Sequence, residues 1–154
     1  MWLPLIIGIS ALVVNVIVQM LTVLLVVRNV AWVTARFEAR ESYLIGYSVL
    51  GAVAVFLFTG HLAQIAVWAA IFTACGEFQE YSRAFYFSAV NFTTLGYGDI
   101  VMSARWRVLG ALEAGTGVLM FGISTSVFFA LITSIYQHHL ERARKDRGSS
   151  SERN

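Results

Sequence analysis

The chain has 154 residues, 58% of them hydrophobic and only 13% charged, a composition that excludes an ordinary soluble domain because so many apolar side chains could not be hidden. Its formal net charge of +2 does not suggest a nucleic-acid-binding surface. The single cysteine, Cys75, excludes an intrachain disulfide and a thiolate metal cluster, and fits a small residue at a helix end.

Three apolar runs are long enough to cross a bilayer, which takes about 20 residues of helix. The first is Leu5 to Val27. It has no basic stretch before it and is too long for a typical signal peptide, so it is expected as a retained helix. Asn15 and Gln19 lie four apart and share a face. A buried amide in lipid needs a partner, so this face is expected to meet another helix rather than to form a substrate site. Residues 28–42 mix Arg28, Arg36 and Arg40 with Glu38 and Glu41, and place Val30, Val33 and Phe37 at helical spacing. This fits a short amphipathic helix at the membrane surface, or a charged continuation of the first helix. The arginines are too few and too irregularly spaced for a voltage-sensing helix.

Tyr43 to Ala74 is the second run. It is longer than a bilayer needs, so tilting or protrusion is expected. His61 and Gln64 interrupt it, followed by Trp68. A neutral His61 bonded to a neighbouring helix is the plainer expectation; the alternative is a titrating imidazole that confers pH sensitivity. Gly76 to Glu80 forms a short turret with Glu77 and Glu80. From Tyr81 to about Thr93 a short helix is expected, with Ser82 as its cap. At 1.5 Å per residue it would be about 20 Å long, too short to cross, so it must be re-entrant.

Next comes Thr93-Thr94-Leu95-Gly96-Tyr97-Gly98-Asp99, preceded by Phe85, Tyr86, Phe87 and Phe92. Two glycines flank one tyrosine, and glycine takes positive φ at little steric cost. Dihedrals that alternate in hand aim successive carbonyl oxygens the same way, and a ring of such carbonyls can replace the water shell of a cation. The third run, Arg105 to Gln137, carries Gly115, Gly117 and Gly122. Each is either a bend point or a small-residue packing contact. Glu113 is the only acid within a run. It lies about two turns from the run's start, near the level of the glycine-flanked stretch. His138 to Asn154 is hydrophilic, with Arg142, Arg144, Lys145 and Arg147, and is expected to meet anionic headgroups or to be disordered.

Thr94-Leu95-Gly96-Tyr97-Gly98 resembles the selectivity filter of potassium channels, usually Thr-Val-Gly-Tyr-Gly and often followed by Asp, here Asp99. Leu95 replaces the usual Val or Ile. The resemblance covers Tyr43 to Gln137 and is narrower still to small prokaryotic channels with one pore domain and an extra N-terminal helix. It implies an all-α membrane protein with three transmembrane helices, a re-entrant pore helix and a filter loop. It divides the chain into an N-terminal helix with a cytoplasmic amphipathic linker (1–42), a pore domain (43–137) and a short basic cytoplasmic tail (138–154). One chain holds one filter strand, so a cyclic homotetramer is implied.

By the same resemblance, K⁺ binds at the carbonyls of Thr94, Leu95, Gly96 and Tyr97, with the Thr94 hydroxyl at the innermost site and Gly98 completing the filter. Tyr97 packs outward among the pore-helix aromatics. Thr93, Tyr86 and Asp99 support the filter, Asp99 by a hydrogen bond at its outer end. From its own place in the third run, and not from the resemblance, Glu113 is expected to support the filter by hydrogen-bonding the structure behind it, as a neutral carboxyl or as a charge. The hinge glycine of the family falls nearest Gly117, with Gly122 as a second candidate. Two departures are visible. Tyr86 and Phe87 stand where the best-known members carry a Trp pair, and Val90 stands where some carry an acid.

The function implied is passive, potassium-selective conduction. The alternatives are a non-selective monovalent cation pore or a non-conducting scaffold subunit. An enzyme is not expected: the spans hold no acid pair, Ser/His/Asp set or metal-spaced His cluster, and His138 and His139 are adjacent and so point different ways. K⁺ is the permeant ion and no cofactor is expected. The partners are K⁺, membrane lipids and further copies of the chain, without nucleic acid. With the N-terminus outside and the C-terminus cytoplasmic, eight basic residues (Arg28, Arg36, Arg40, Arg142, Arg144, Lys145, Arg147, Arg153) are expected on the cytoplasmic side of the cell membrane. Three (Arg83, Arg105, Arg107) lie outside, as the positive-inside rule requires.

Overall fold

Among the described residues of a computed structural model, four helices follow one another: α1 (Trp2–Phe37), α2 (Tyr43–Ala74), α3 (Tyr81–Phe92) and α4 (Arg107–Ser151). The structure describes residues 2–37 and 43–151, with side chains over 2–33, 46–134, 136 and 137. Among the described residues, three stretches are long and apolar enough to cross a membrane: Trp2–Val33, Gly46–Ala74 and Arg107–Ser134. The chain is therefore a multi-pass, all-helical membrane protein.

Two helices run further than the hydropathy suggests. α1 passes through Arg28 without a break to Phe37, so residues 28–37 continue the first helix instead of forming a separate surface helix. No glycine or proline stands between Val27 and Phe37 to stop it. Residues 38–42, the rest of the expected linker, lie outside the described residues. α4 likewise continues past Gln137 to Ser151, which corrects one of the two readings of the tail, disorder, over residues 138–151. His138 to Arg147 contains no breaker and several good helix formers.

The other boundaries have local causes. α2 closes in a Schellman turn: Gly76 N–H donates to Thr73 O (3.0 Å) and Glu77 N–H to Phe72 O (3.0 Å). α3 begins one residue after Glu80, whose backbone is extended and whose side chain makes no cap. Ser82, the expected cap, therefore lies inside the first turn. Tyr81 anchors this end instead, donating from Oη to Ala66 O on α2 (3.2 Å) with its ring 6.2 Å from Phe85.

The main core is where α2, α3 and α4 converge on Trp68, Phe72, Phe78, Phe92, Leu109 and Met120. Phe72 meets Phe87 edge-on at 5.5 Å and Phe87 lies 5.3 Å from Phe78, a geometry that suits the ring quadrupole. This aromatic cluster holds the short α3 between its longer neighbours. α1 packs on α2 and α4, and a second cluster of Val26, Val53 and Leu57 lies with Val127, Phe128 and Leu131.

α1 is also tied in by a closed ring of buried hydrogen bonds. Gln64 Nε2 donates to Gln19 Oε1 (3.0 Å), and Gln19 Nε2 donates to Ser124 Oγ (2.9 Å). Ser124 Oγ lies 3.1 Å from His61 Nε2, and His61 Nδ1 lies 3.0 Å from Gln64 Oε1. Gln64 Oε1 only accepts, so Nδ1 carries the proton and Nε2 accepts from Ser124. Each of the four side chains then donates once and accepts once around the ring. The Asn15–Gln19 face thus meets α2 and α4: Asn15 O takes a bond from Gln64 Nε2 (3.2 Å), while Asn15 Nδ2 returns to Ala11 O on its own helix (2.8 Å).

Candidate functional site

The end of α3 sets the path of the chain that follows. Thr93, the C-cap, donates from Oγ1 to Ala89 O (2.7 Å) and Val90 O (3.2 Å). The next amides fold back onto the same turn. Thr94 N–H donates to Asn91 O (2.9 Å), and Leu95 N–H (3.0 Å) and Gly96 N–H (3.4 Å) both donate to Val90 O. The amides of Thr94, Leu95 and Gly96 are thus committed to the helix, while among the described residues the carbonyls of Thr94, Leu95, Gly96, Tyr97 and Gly98 accept no hydrogen bond.

Backbone hand alternates here. Thr94 (φ 61), Gly96 (φ 56) and Gly98 (φ 75) are left-handed, whereas Leu95 and Tyr97 between them are not. A Cβ added at Gly96 or Gly98 would meet nothing within 4 Å, so it is the dihedral, not lack of room, that calls for glycine. Thr94 is β-branched and holds positive φ all the same, an arrangement that costs about 1–3 kcal/mol and clusters at functional sites.

Past this strand, Tyr86 Oη on α3 donates to Asp99 Oδ2 (2.8 Å). That bond is the main cause of the Tyr86 phenol being held above its usual range. Glu77 accepts from Ser103 N–H (2.6 Å) and Ser103 Oγ (2.7 Å), which ties the turret to the segment leaving the strand. Tyr97 is 66% exposed on the single chain and has no aromatic partner among the described residues. The packing expected of it among pore-helix aromatics is therefore not made within one chain.

α4 supplies the far wall. A Cβ on Gly117 would fall 2.0 Å from Phe92 O, so α4 approaches the end of α3 there as only glycine allows. Gly122 has open space around it, and α4 is helical through both glycines. Glu113 is fully buried, with Ser88 Oγ hydrogen-bonded to Oε1 and Asn91 Nδ2 donating to Oε2 (2.7 Å). Ser88 and Asn91 escaped the sequence reading. Their signal was a pair of polar residues three apart on a short, mostly apolar helix. A cavity of about 410 Å³ lies between the strand, α3 and α4, lined by Tyr86, Val90, Asn91, Gly96, Gly98 and Gly110 among others.

A three-helix membrane bundle with a short helix feeding a strand of free carbonyls has the outline of a channel pore domain. A family profile described as "Ion channel" matches residues 42–134, and the chain belongs to that family. Among curated proteins it is similar to the A-type voltage-gated potassium channel KCND3 of Rattus norvegicus and that of Homo sapiens. Each is 27% identical over 121 residues, 78% of this chain and 17% of the relative. The chain thus spans less than a fifth of the length of these relatives. No solved structure matches it.

Proposed function

We propose that four copies of this chain form a channel selective for K⁺, with residues 94–98 of each copy lining its narrowest part. The observation that carries this reading is the alternation of left-handed backbone at Thr94, Gly96 and Gly98 together with five carbonyls that accept no bond. Alternating hands turn successive carbonyls to one side. Carbonyls with no protein donor are free to replace the water around a monovalent cation. A single strand offers one carbonyl per level, too few to ring an ion, so a cyclic tetramer completes the site.

In this assembly α3 is re-entrant and points its C-terminal partial negative charge toward the ion path. Several ions share the strand and displace one another, which keeps binding selective without trapping. The exposed Tyr97 finds its packing against a neighbouring copy. The KCND3 relatives are potassium channels by name, in keeping with K⁺ as the permeant ion. The basic-residue asymmetry orients the strand toward the outer face of the cell membrane, with the N-terminus outside and the C-terminus cytoplasmic.

Purified protein in liposomes, with K⁺ and Na⁺ flux compared, tests the reading. K⁺ flux well above Na⁺ flux is expected. Equal fluxes indicate a non-selective cation pore, and no flux indicates a scaffold subunit. Gly96→Ala and Gly98→Ala are each expected to abolish selective K⁺ flux, because a Cβ at left-handed φ costs about 1–2 kcal/mol in every copy. Unchanged K⁺/Na⁺ selectivity in both variants contradicts the assignment.

A further inference from the structure

Glu113 sits on α4, yet both its oxygens are held from α3. Asn91 Nδ2 donates to Glu113 Oε2 (2.7 Å) and to Gly110 O (2.7 Å). Ser88 Oγ contacts Glu113 Oε1 and lies 2.9 Å from Ile65 O on α2. Ser88, Asn91 and Glu113 therefore fasten three helices at one point. Val90 stands in the same turn of α3, and its carbonyl receives the amides of Leu95 and Gly96. The turn that Glu113 grips is the one from which the strand hangs.

Counting protons identifies the form of the carboxyl that fits. Ser88 has one hydroxyl proton and two acceptors beside it, Ile65 O and Glu113 Oε1. An ionised Glu113 leaves this set one donor short, and among the described residues no basic side chain pairs with it. An unpaired buried charge is expensive. A Glu113 that carries its own proton on Oε1 donates a hydrogen bond through it to Ser88 Oγ. Ser88 then serves Ile65 O, and Oε2 accepts from Asn91. Each of these close oxygen contacts then has a proton.

We propose that Glu113 is a positioning residue for ion selectivity: as a neutral carboxyl that donates once and accepts once, it fixes the last turn of α3 and, through Val90 O, the backbone of Leu95 and Gly96. It does from the inner helix what an acid at the Val90 position would do from the pore helix. The proposal rests on reading residues 94–98 as the ion path.

The test uses the full chain in liposomes, with K⁺/Na⁺ permeability ratios taken from reversal potentials for wild type, Glu113→Gln, Glu113→Ala and Asn91→Ala. Glutamine keeps one donor and one acceptor, so its ratio is expected to stay within about twofold of wild type. Glu113→Ala and Asn91→Ala are each expected to lower the ratio on the order of tenfold, the scale set by one or two lost buried hydrogen bonds. Asn91→Ala leaves the carboxyl in place and serves if Glu113→Ala does not assemble. A wild-type ratio retained in the alanine variants overturns the positioning role. An infrared difference spectrum between wild type and Glu113→Gln, recorded without ion flux, is expected to show the carbonyl stretch of a protonated carboxyl. A carboxylate band in its place overturns the neutral form. A selective wild type supports the ion path on which the proposal rests, whereas a non-selective one overturns that path and the selectivity role with it. The infrared band still reports separately on the carboxyl.

Discussion

Thr94 holds a β-branched side chain in left-handed backbone (φ 61), a choice that sheet and helix packing alone would never favour. The amides on either side are committed to α3, so the strain is held by the helix end. Tyr86 acts at the other end of the strand. Its bond to Asp99 raises the phenol above the ordinary tyrosine range, so the proton is bound more tightly in the folded chain. The contribution is complete below the unfolded tyrosine range and is lost as pH rises through the higher folded value. K⁺ current is therefore expected to keep its Tyr86–Asp99 anchor at neutral and mildly alkaline pH. Tyr86→Phe removes the donor, and faster decay of current under sustained voltage is expected. Decay unchanged from wild type contradicts an anchoring role.

Packing between helices makes different demands on glycines that look alike in the sequence. Gly117 lets α4 touch the end of α3, and Gly117→Ala is expected to destabilise the protein by about 1–3 kcal/mol, as overpacking does. Thermal denaturation in detergent measures this. Gly122 faces open space on the single chain, so Gly122→Ala is expected to leave stability unchanged or raise it by about 0.5–1 kcal/mol. A change in open probability with stability kept would mark Gly122 as the bend. The ring of Gln19, Gln64, His61 and Ser124 predicts a third effect. Gln19→Leu opens it and is expected to cost about 1 kcal/mol, within the range for interhelical bonds in membranes, by the same denaturation. No loss shows that the ring does not hold α1.

These elements were unequally legible in the sequence. The three spans and the short helix could be read because apolar length and the turret at Gly76–Glu80 are local properties. Backbone freedom at Gly96 and Gly98 belongs to the residue itself, so it was legible too. The ends of α1 and α4 were not, because Arg28 and Arg142 signal the edge of the lipid while nothing in the neighbouring residues breaks a helix. The partners of Glu113 lie 25 and 22 residues away. Which face of α4 meets Ser88 and Asn91 follows from the close approach at Gly117, a matter of packing rather than pattern.

At the scale of the whole molecule, the chain leaves its most specific feature unfinished. The strand from Thr93 to Asp99 is exposed on the single chain, with Leu95 at 58% and Tyr97 at 66%. In the proposed tetramer, further copies would cover these side chains and bring the free carbonyls around one axis. The mass of the protein in lipid nanodiscs is expected to be that of four chains; a monomer or dimer leaves the carbonyls without a ring. α1 lies outside the residues matched by the family profile, and its polar ring binds it to α2 and α4 as part of the same bundle.

In the proposed channel, backbone oxygens of residues 94–98 replace water around K⁺. Reversal potential in liposomes, with K⁺ on one side and Na⁺ on the other, reads this directly. A potential close to the K⁺ equilibrium value is expected, and it should collapse in Gly96→Ala. A potential near zero in the wild type, or one unmoved by that substitution, contradicts the claim.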